Sequence, residues 1–124
     1  MIWRVLIADD EPNIVASLEF LMRRSDYDVR VARDGEEALR LAETFRPDLV
    51  LLDVMMPVRS GFDVCQKLRE NVALRDMKIV MLTAKGRDTE KNRGADLGVS
   101  AYITKPFSTK DLMNTVRGLL PRSE

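Results

Sequence analysis

Short apolar segments alternate with amphipathic segments along the whole chain. Runs rich in aliphatic and β-branched residues predict strands at residues 3–8, 27–32, 49–52, 78–83 and 100–104. Four of them are followed by apolar residues at helical spacing, which predicts helices at residues 12–24, 34–45, 60–72 and 108–120. A further helix is predicted at residues 87–97, where Ala95 and Leu97 are the only apolar anchors. Five strand-helix units, each of a length that suits a βα unit, predict an α/β fold. We expect a doubly wound parallel five-stranded sheet with helices on both faces.

Helix starts are marked by capping signals. Asp34, Ser60 and Ser108 are each followed three residues later by an acid, the pattern of a capping box. The second strand alternates apolar with charged residues, so we expect it near an edge of the sheet. The helix at residues 87–97 is strongly polar, and Gly94 in its interior costs about 1 kcal/mol relative to Ala. We therefore expect this helix to be marginal and mobile.

Polar residues stand where four of the predicted strands end: Asp9 and Asp10 after the first, Asp53 after the third, Thr83 at the fourth and Lys105 at the fifth. Right-handed crossovers put the carboxyl ends of parallel strands on one edge, so these residues should converge there. Ligands of open α/β sheets bind at that edge. Asp53 is central, because it follows a strand that is apolar on both faces and Pro57 prevents further pairing.

Each of these residues alone also fits an ordinary structural role. Asp53 could cap a loop, Asp9 and Asp10 could cap the first helix, and Thr83 could be a common strand-end residue. Lys105 could be a surface lysine and Tyr102 a packing aromatic. The functional interpretation depends on the predicted convergence of several strands on one edge.

Composition excludes several classes of chemistry. The 20 Lys and Arg residues balance 20 Asp and Glu residues, so no charge excess points to nucleic acid or to an anionic membrane. The absence of His excludes Ser-His-Asp catalysis, His-ligated zinc and a phosphohistidine within this chain. The single cysteine, Cys65, is expected to pack as a small buried hydrophobe. With no spanning run and no signal peptide, we expect a cytoplasmic protein.

Three carboxylates at one edge require a positive partner. Two unit charges 4 Å apart repel by about 4 kcal/mol at an effective dielectric constant near 20. Oxygen ligands of this kind suit Mg²⁺, which shares its shell with water and phosphoryl oxygens. Lys105 adds a point charge and Thr83 a hydroxyl donor. These groups are the parts needed to transfer a phosphoryl group to Asp53.

Over nearly its whole length, the chain resembles the CheY-like receiver domain of bacterial two-component response regulators. The matching motifs are Ile-Ala-Asp-Asp-Glu-Pro at 7–12, Leu-Leu-Asp-Val-Met-Met-Pro with Gly61 at 51–61, Leu-Thr-Ala at 82–84, and Tyr-Ile-Thr-Lys-Pro-Phe at 102–107. The resemblance implies strand order 2-1-3-4-5. It also implies that Asp53 accepts a phosphoryl group from the phosphohistidine of a sensor histidine kinase or of a His phosphotransfer protein.

The resemblance assigns further roles. Asp10, Asp53 and the backbone carbonyl of Met55 would bind Mg²⁺, with Asp9 acting directly or through water. Thr83 and Lys105 would contact the phosphoryl oxygens, and the Lys105–Pro106 bond would be cis. Thr83 and Tyr102 would form a switch pair that remodels the face made by the fourth helix, the fifth strand and the fifth helix. Met55 and Lys85 occupy positions that, in the family, tune hydrolysis of the phosphoaspartate.

We therefore expect residues 1–124 to form a single receiver domain without an output domain, since Met1 begins the chain and a short tail follows the last helix. The domain would be a phosphoacceptor rather than a turnover enzyme. It would control a downstream protein through its remodelled face, with no direct contact to nucleic acid or membrane. The sequence leaves open the identity of the kinase and of the target, and whether phosphorylation causes dimerisation.

Other readings explain the motifs less well. A haloacid-dehalogenase-type phosphatase needs a second Asp where this chain has Met55. A flavodoxin-like carrier needs a phosphate loop, whereas residues 9–11 are acidic. A P-loop motif is absent. The remaining alternative is a receiver-fold binding module that signals without phosphate; Asp53, Thr83 and Lys105 argue against it without excluding it.

Overall fold

The structure, a computed structural model, describes residues 2–84 and 97–121. It contains five strands: β1 Arg4–Ala8, β2 Asp28–Ala32, β3 Leu49–Asp53, β4 Lys78–Ala84 and β5 Ala101–Lys105. All adjacent strands pair in parallel, and the sheet has the order β2-β1-β3-β4-β5. The predicted α/β class, strand order and edge position of the second strand are confirmed.

The helices follow the predicted pattern. They are α1 Pro12–Arg24, α2 Gly35–Phe45, α3 Gly61–Glu70 and a C-terminal helix Thr109–Leu119, with a short 3-10 turn at Val72–Leu74. None of the helices in the described ranges is long and apolar enough to cross a membrane. The helix predicted at residues 87–97 lies outside the described residues apart from Leu97, and Lys85 lies outside them too.

The predicted capping residues begin their helices. The side chains of Asp34, Ser60 and Ser108 each accept a hydrogen bond from the backbone N–H three residues later, at 2.9, 3.2 and 3.3 Å. Caps of this kind each stabilise a helix by about 1 kcal/mol. The expected continuation of the third helix to residue 72 is wrong. Asn71 is extended and its side chain accepts from the N–H of Ala73, so a separate 3-10 turn begins there.

Two apolar layers cover the sheet. Strand residues alternate between them, so β3 is buried on both faces. On one face the sheet packs against α2 and α3, through Ala38, Ala42, Phe62, Cys65 and Leu68. On the other face it packs against α1 and the C-terminal helix, through Leu18, Met22, Leu112, Met113 and Val116. Cys65 is buried as expected, and this burial raises the pKa of its thiol.

The two ends of the described chain meet at the edge of the sheet where the strands begin. The indole N–H of Trp3, just before β1, donates to the carbonyl of Pro121, just after the C-terminal helix, at 3.0 Å. Since all strands run in the same direction, this contact lies at the edge opposite to the strand ends that carry the polar residues.

Candidate phosphoacceptor and metal site

The parallel register brings the predicted polar residues to one edge. Ala8 pairs with Leu52, Asp53 with Leu82 and Ala84 with Lys105, so β1, β3, β4 and β5 end side by side. Asp9 directly follows β1, and its backbone N–H donates to the carbonyl of Ala32 at 3.1 Å. The sequence prediction that these strands deliver acidic and basic groups to one place therefore agrees with the structure.

Lys105 joins the two buried carboxylates. Its Nζ lies 2.8 Å from Oδ2 of Asp9 and 3.5 Å from Oδ2 of Asp53. Asp9 is fully buried and Asp53 is 7% exposed, whereas Asp10 is exposed. Burial lowers the pKa of Lys105, but its hydrogen bond to Asp9 and the charges of Asp53 and Asp9 outweigh this, so the pKa is raised overall. The ammonium group therefore stays charged at neutral pH.

The carboxyl group of Asp53 is a much weaker acid than usual. Its pKa is raised from 3.8 to about 6, first by burial and then by the charge of Asp9, with a smaller contribution from Asp10. Lys105 and the backbone N–H of Met55, which donates to Oδ1 at 3.2 Å, lower the pKa in part. In the metal-free protein, one ammonium group thus compensates only part of the negative charge.

Neither Asp9 nor Asp10 is the N-cap of the first helix. Asp9 accepts a hydrogen bond from the N–H of Glu11 through Oδ1, at 2.9 Å. This bond turns the chain from β1 toward α1, but the N-cap position of α1 is Glu11, which makes no side-chain capping bond. Asp9 therefore faces Lys105 and the neighbouring carboxylates instead of the helix N–H groups.

Three carboxylates form a set that suits a divalent metal ion. Asp9, Asp10 and Asp53 each offer one oxygen, and these atoms all lie within 4.8 Å of one another. Such a group of hard oxygen donors, with an exposed member open to water, matches the preference of Mg²⁺. Met55 follows two residues after Asp53, so its backbone lies beside the same group.

Thr83 and Tyr102 lie on one face of the sheet. Thr83 pairs with Thr104 and Met81 with Tyr102, so the side chains of these four residues point to the same side. Thr83 is buried, and Tyr102 is partly buried against the layer that contains α2 and α3. The predicted switch residues are thus on neighbouring strands, with Thr83 in the penultimate position of β4 beside the acidic edge.

The loop between β3 and α3 returns very close to the end of β3, a feature that the sequence analysis did not predict. A Cβ atom on Gly61 would lie 2.3 Å from the carbonyl oxygen of Asp53, so the chain passes too close for any other residue. The N–H of Gly61 donates to the carbonyl of Val54 at 2.8 Å. Gly35, at the start of α2, is similarly close to Arg59, which leaves no room for a side chain. The Lys105–Pro106 bond is cis, as the resemblance implied.

A cavity elsewhere in the described part of the chain contains none of these groups. It measures about 860 Å³, lies between α1 and the C-terminal helix, and is lined by residues that include Trp3, Tyr27 and Arg117. None of the site residues predicted from the sequence lines it. The candidate site is therefore the acidic edge and not this cavity.

Known proteins are similar to this chain in both sequence and fold. Residues 5–117 match the family model of the response regulator receiver domain. Over 121 residues the chain is 46% identical to the alkaline phosphatase synthesis transcriptional regulatory protein PhoP of Bacillus subtilis (strain 168), a match that covers 98% of this chain and 50% of PhoP. The chain thus spans about half the length of this curated relative.

Two solved structures extend the comparison. A candidate response regulator from Chloroflexus aurantiacus J-10-fl superposes with a TM-score of 0.93 at 34% identity, covering 98% of this chain and all of that one. The receiver domain of the sensor histidine kinase PA1611 from Pseudomonas aeruginosa PAO1 gives a TM-score of 0.88 at 26% identity, covering 98% and 100%. The latter structure has a magnesium ion coordinated in its active-site cleft.

Proposed function

Because the chain belongs to the response regulator receiver domain family of two-component systems, we propose that Asp53 is its phosphoacceptor. The observation that carries this proposal is the placement of the Asp53 carboxylate, at the end of a buried strand, beside Asp9 and the ammonium group of Lys105. Receiver domains of two-component systems interact with histidine kinases or phosphotransfer proteins. Such a protein would supply the phosphoryl group to this chain.

The transfer exchanges one bond to phosphorus for another. An Asp53 carboxylate oxygen forms a bond to phosphorus while the bond from phosphorus to the donor's imidazole nitrogen breaks. The electron pair of the broken bond stays on that nitrogen, and Asp53 becomes an acyl phosphate. The carboxylate must be ionised to attack, so Lys105, which favours its charged form, assists the step. The chain is changed by this reaction, which makes it a phosphoacceptor rather than a turnover enzyme.

Lys105 and Thr83 would hold the transferred group. The Lys105 ammonium lies close enough to the two buried carboxylates to pair with a phosphoryl oxygen after a small shift. The Thr83 hydroxyl, on the adjacent strand β4, can donate a hydrogen bond to another phosphoryl oxygen. Charge placement of this kind accounts for most of the catalysis of phosphoryl transfer.

Mg²⁺ would bind to Asp9, Asp10 and Asp53, with the Met55 carbonyl as a further ligand. When bound, the ion neutralises negative charge on the carboxylates and on the phosphoryl oxygens. The donor set supports this proposal, because three carboxylates and one ammonium group leave uncompensated negative charge at the site. The magnesium site in the related PA1611 receiver also supports it.

Phosphorylation would then act on a downstream protein. The added group carries about 1.5 to 2 negative charges and would attract Thr83 and Lys105. Thr83 shares a sheet face with Tyr102, so movement of the hydroxyl can be passed to the β5 side chain. We propose that this pair remodels the face that includes β5 and the C-terminal helix, through which the chain controls a protein partner.

Phosphorylation by a small donor tests the proposal directly. We would incubate the chain with Mg²⁺ and acetyl phosphate, then measure the intact mass and map the modified residue. We expect an acid-labile increase of about 80 Da, one phosphoryl group, on Asp53. The Asp53→Asn variant should not be labelled, whereas the Asp76→Asn variant, changed at an exposed turn, should be labelled like the wild type.

Two results would argue against a phosphoacceptor. Equal labelling of Asp53→Asn would remove Asp53 from the reaction. Absence of any Mg²⁺-dependent adduct, together with failure to bind beryllofluoride, would instead favour a receiver-fold module that acts by binding without phosphate.

A further inference from the structure

The cavity between α1 and the C-terminal helix has the size of a small-molecule site. It measures about 860 Å³, and such sites are usually about 300 to 1,000 Å³. One side of it is formed by the C-terminal helix and its cap, through residues at helical spacing: Thr109, Met113, Arg117 and Leu120. These residues extend over about 16 Å along the helix axis, so the cavity can hold an elongated ligand.

Hydrogen bonds hold the walls of this cavity in place. The indole N–H of Trp3 donates to the carbonyl of Pro121, and the carbonyl of Trp3 accepts from the N–H of Asp28 at 2.9 Å. In the turn after α1, the N–H groups of Asp26 and Tyr27 donate to carbonyls of the last turn of that helix, at 3.0 and 3.2 Å. A ligand would thus meet a preformed site, and binding would order few additional groups.

Two arginines line this cavity. Arg24 ends α1, and Arg117 lies in the last turn of the C-terminal helix. Within residues 2–84 and 97–121, neither of them forms an ion pair. Among the described lining residues, Asp26 is the one that carries a carboxylate, so the lining has a net positive charge. These charges favour an anionic ligand.

Aromatic surface lies next to these charges. The side chains of Trp3 and Tyr27 line the same cavity and are half-buried. Burial raises the pKa of the Tyr27 phenol, and the charge of Arg117 lowers it in part, so this guanidinium group lies near the phenol. An arginine in a last helical turn also stabilises the helix through its dipole. That role explains the positive charge but not the aromatic groups beside it.

From this combination we propose that the cavity binds a nucleoside monophosphate. Its phosphate pairs with Arg24 and Arg117, because guanidinium groups form paired hydrogen bonds to phosphate oxygens and two of them match two negative charges. Its base lies against Trp3 and Tyr27, since aromatic side chains stack on bases of every kind. The carboxylate of Asp26 can accept a hydrogen bond from a ribose hydroxyl or a base amino group. The cavity shares no residue with the acidic edge, so this inference does not depend on the proposed function.

Fluorescence of Trp3 can measure this binding without a label, because it is the only tryptophan of the chain and lines the cavity. The ribonucleoside monophosphates of adenine, guanine, cytosine and uracil are titrated into the full chain up to millimolar concentrations. EDTA is present, so that no metal ion holds the phosphate at the acidic edge. The corresponding nucleosides lack the phosphate and ribose phosphate lacks the base, so these probes separate the two parts of the ligand.

Matched variants locate the phosphate. Arg24→Gln and Arg117→Gln each remove one charge from the cavity. Arg23→Gln is the control, since Arg23 lies in the same helical turn as Arg24 but pairs with Glu19 at 2.9 Å and does not line the cavity. Calorimetry repeats the titrations that change the fluorescence, and sedimentation measures the oligomeric state of each variant.

We expect at least one of the nucleotides to change Trp3 fluorescence to saturation. Arg24→Gln and Arg117→Gln should each weaken its affinity by about tenfold, the loss typical of a charged hydrogen-bonding partner, and Arg23→Gln should leave it unchanged. The nucleoside and ribose phosphate should each bind at least about tenfold more weakly than the nucleotide.

Several results would overturn the proposal. No saturable response to any of the nucleotides would show that the cavity is not a nucleotide site. Equal weakening by Arg23→Gln would indicate general attraction between charges, and equal binding of ribose phosphate would indicate an anion site without a place for the base. A dimer in sedimentation that Arg117→Gln dissociates would make the cavity an interface between two copies of this chain.

Discussion

Replacing Asp53 with Asn should stabilise the metal-free protein at neutral pH. The folded chain holds this carboxyl group at a pKa of about 6, against 3.8 for the ordinary group. The folded state therefore binds the proton more tightly than the unfolded state does, so folding is opposed at neutral pH, where Asp53 is ionised in both states. Asn keeps the shape of the protonated side chain and removes the ionisation.

The size of the effect follows from the two pKa values. A difference of about two units corresponds to about 3 kcal/mol. The destabilisation is absent well below pH 3.8, grows as the pH rises between the two pKa values, and is complete above about pH 7. The unfolding free energy of the Asn variant should thus exceed that of the wild type by about 3 kcal/mol at pH 7.5, by about half of that at pH 5, and by under about 1 kcal/mol near pH 4.

Urea unfolding followed by circular dichroism, in EDTA and at several pH values, measures this difference. For a domain of this size, the midpoint of Asp53→Asn should exceed that of the wild type by about 1 M or more at pH 7.5. The Asp76→Asn variant is the control, and a change at this exposed site should stay within about 0.5 kcal/mol. A difference that does not change between pH 4 and pH 7.5, or an Asn variant less stable than the wild type, would refute the reasoning.

Two further predictions concern the loop and the metal. Gly61→Ala should lose about 2 kcal/mol or more of unfolding free energy, because the added Cβ would meet the carbonyl of Asp53. Gly118→Ala, which faces open space in the C-terminal helix, should instead gain up to about 1 kcal/mol. Urea titration compares the two variants, and equal effects would contradict the close approach at Gly61. Asp10→Asn should weaken Mg²⁺ binding, measured by calorimetry, because it removes one carboxylate from the group. It should also stabilise the metal-free chain, since it relieves repulsion between the carboxylates. An unchanged Mg²⁺ affinity would show that Asp10 is not part of the site.

The position of the site could be predicted because it depends on chain direction and periodicity. Once alternating strands and helices imply a parallel sheet, the residues that end the strands must share an edge. Asp53 and Lys105 were located by this rule without any knowledge of side-chain contacts. The caps at Asp34 and Ser60 were similarly predictable, because a capping bond joins residues only three positions apart.

Other features depend on side-chain contacts and backbone geometry, which the order of apolar and polar residues along the chain does not determine. Lys105 could have paired with any of three carboxylates, and only packing decides that Asp9 is its nearest partner. Nothing in the sequence indicated the positive φ at Val58, because glycine or asparagine usually marks such a position and valine does not. The apolar spacing suggested helix as far as Val72, but the side chain of Asn71 competes for backbone N–H groups and stops the helix earlier.

The hydrogen bond between Trp3 and Pro121 determines what an optical experiment on this protein can detect. Trp3 is the only tryptophan of the chain, and β1 separates it from the acidic edge by about 20 Å. Its fluorescence should therefore report loss of the joined chain ends on unfolding and respond little to Mg²⁺ or to phosphorylation. A probe of the reaction must be introduced elsewhere, and Phe107, two residues after Lys105 and partly buried, is a suitable position for a second indole.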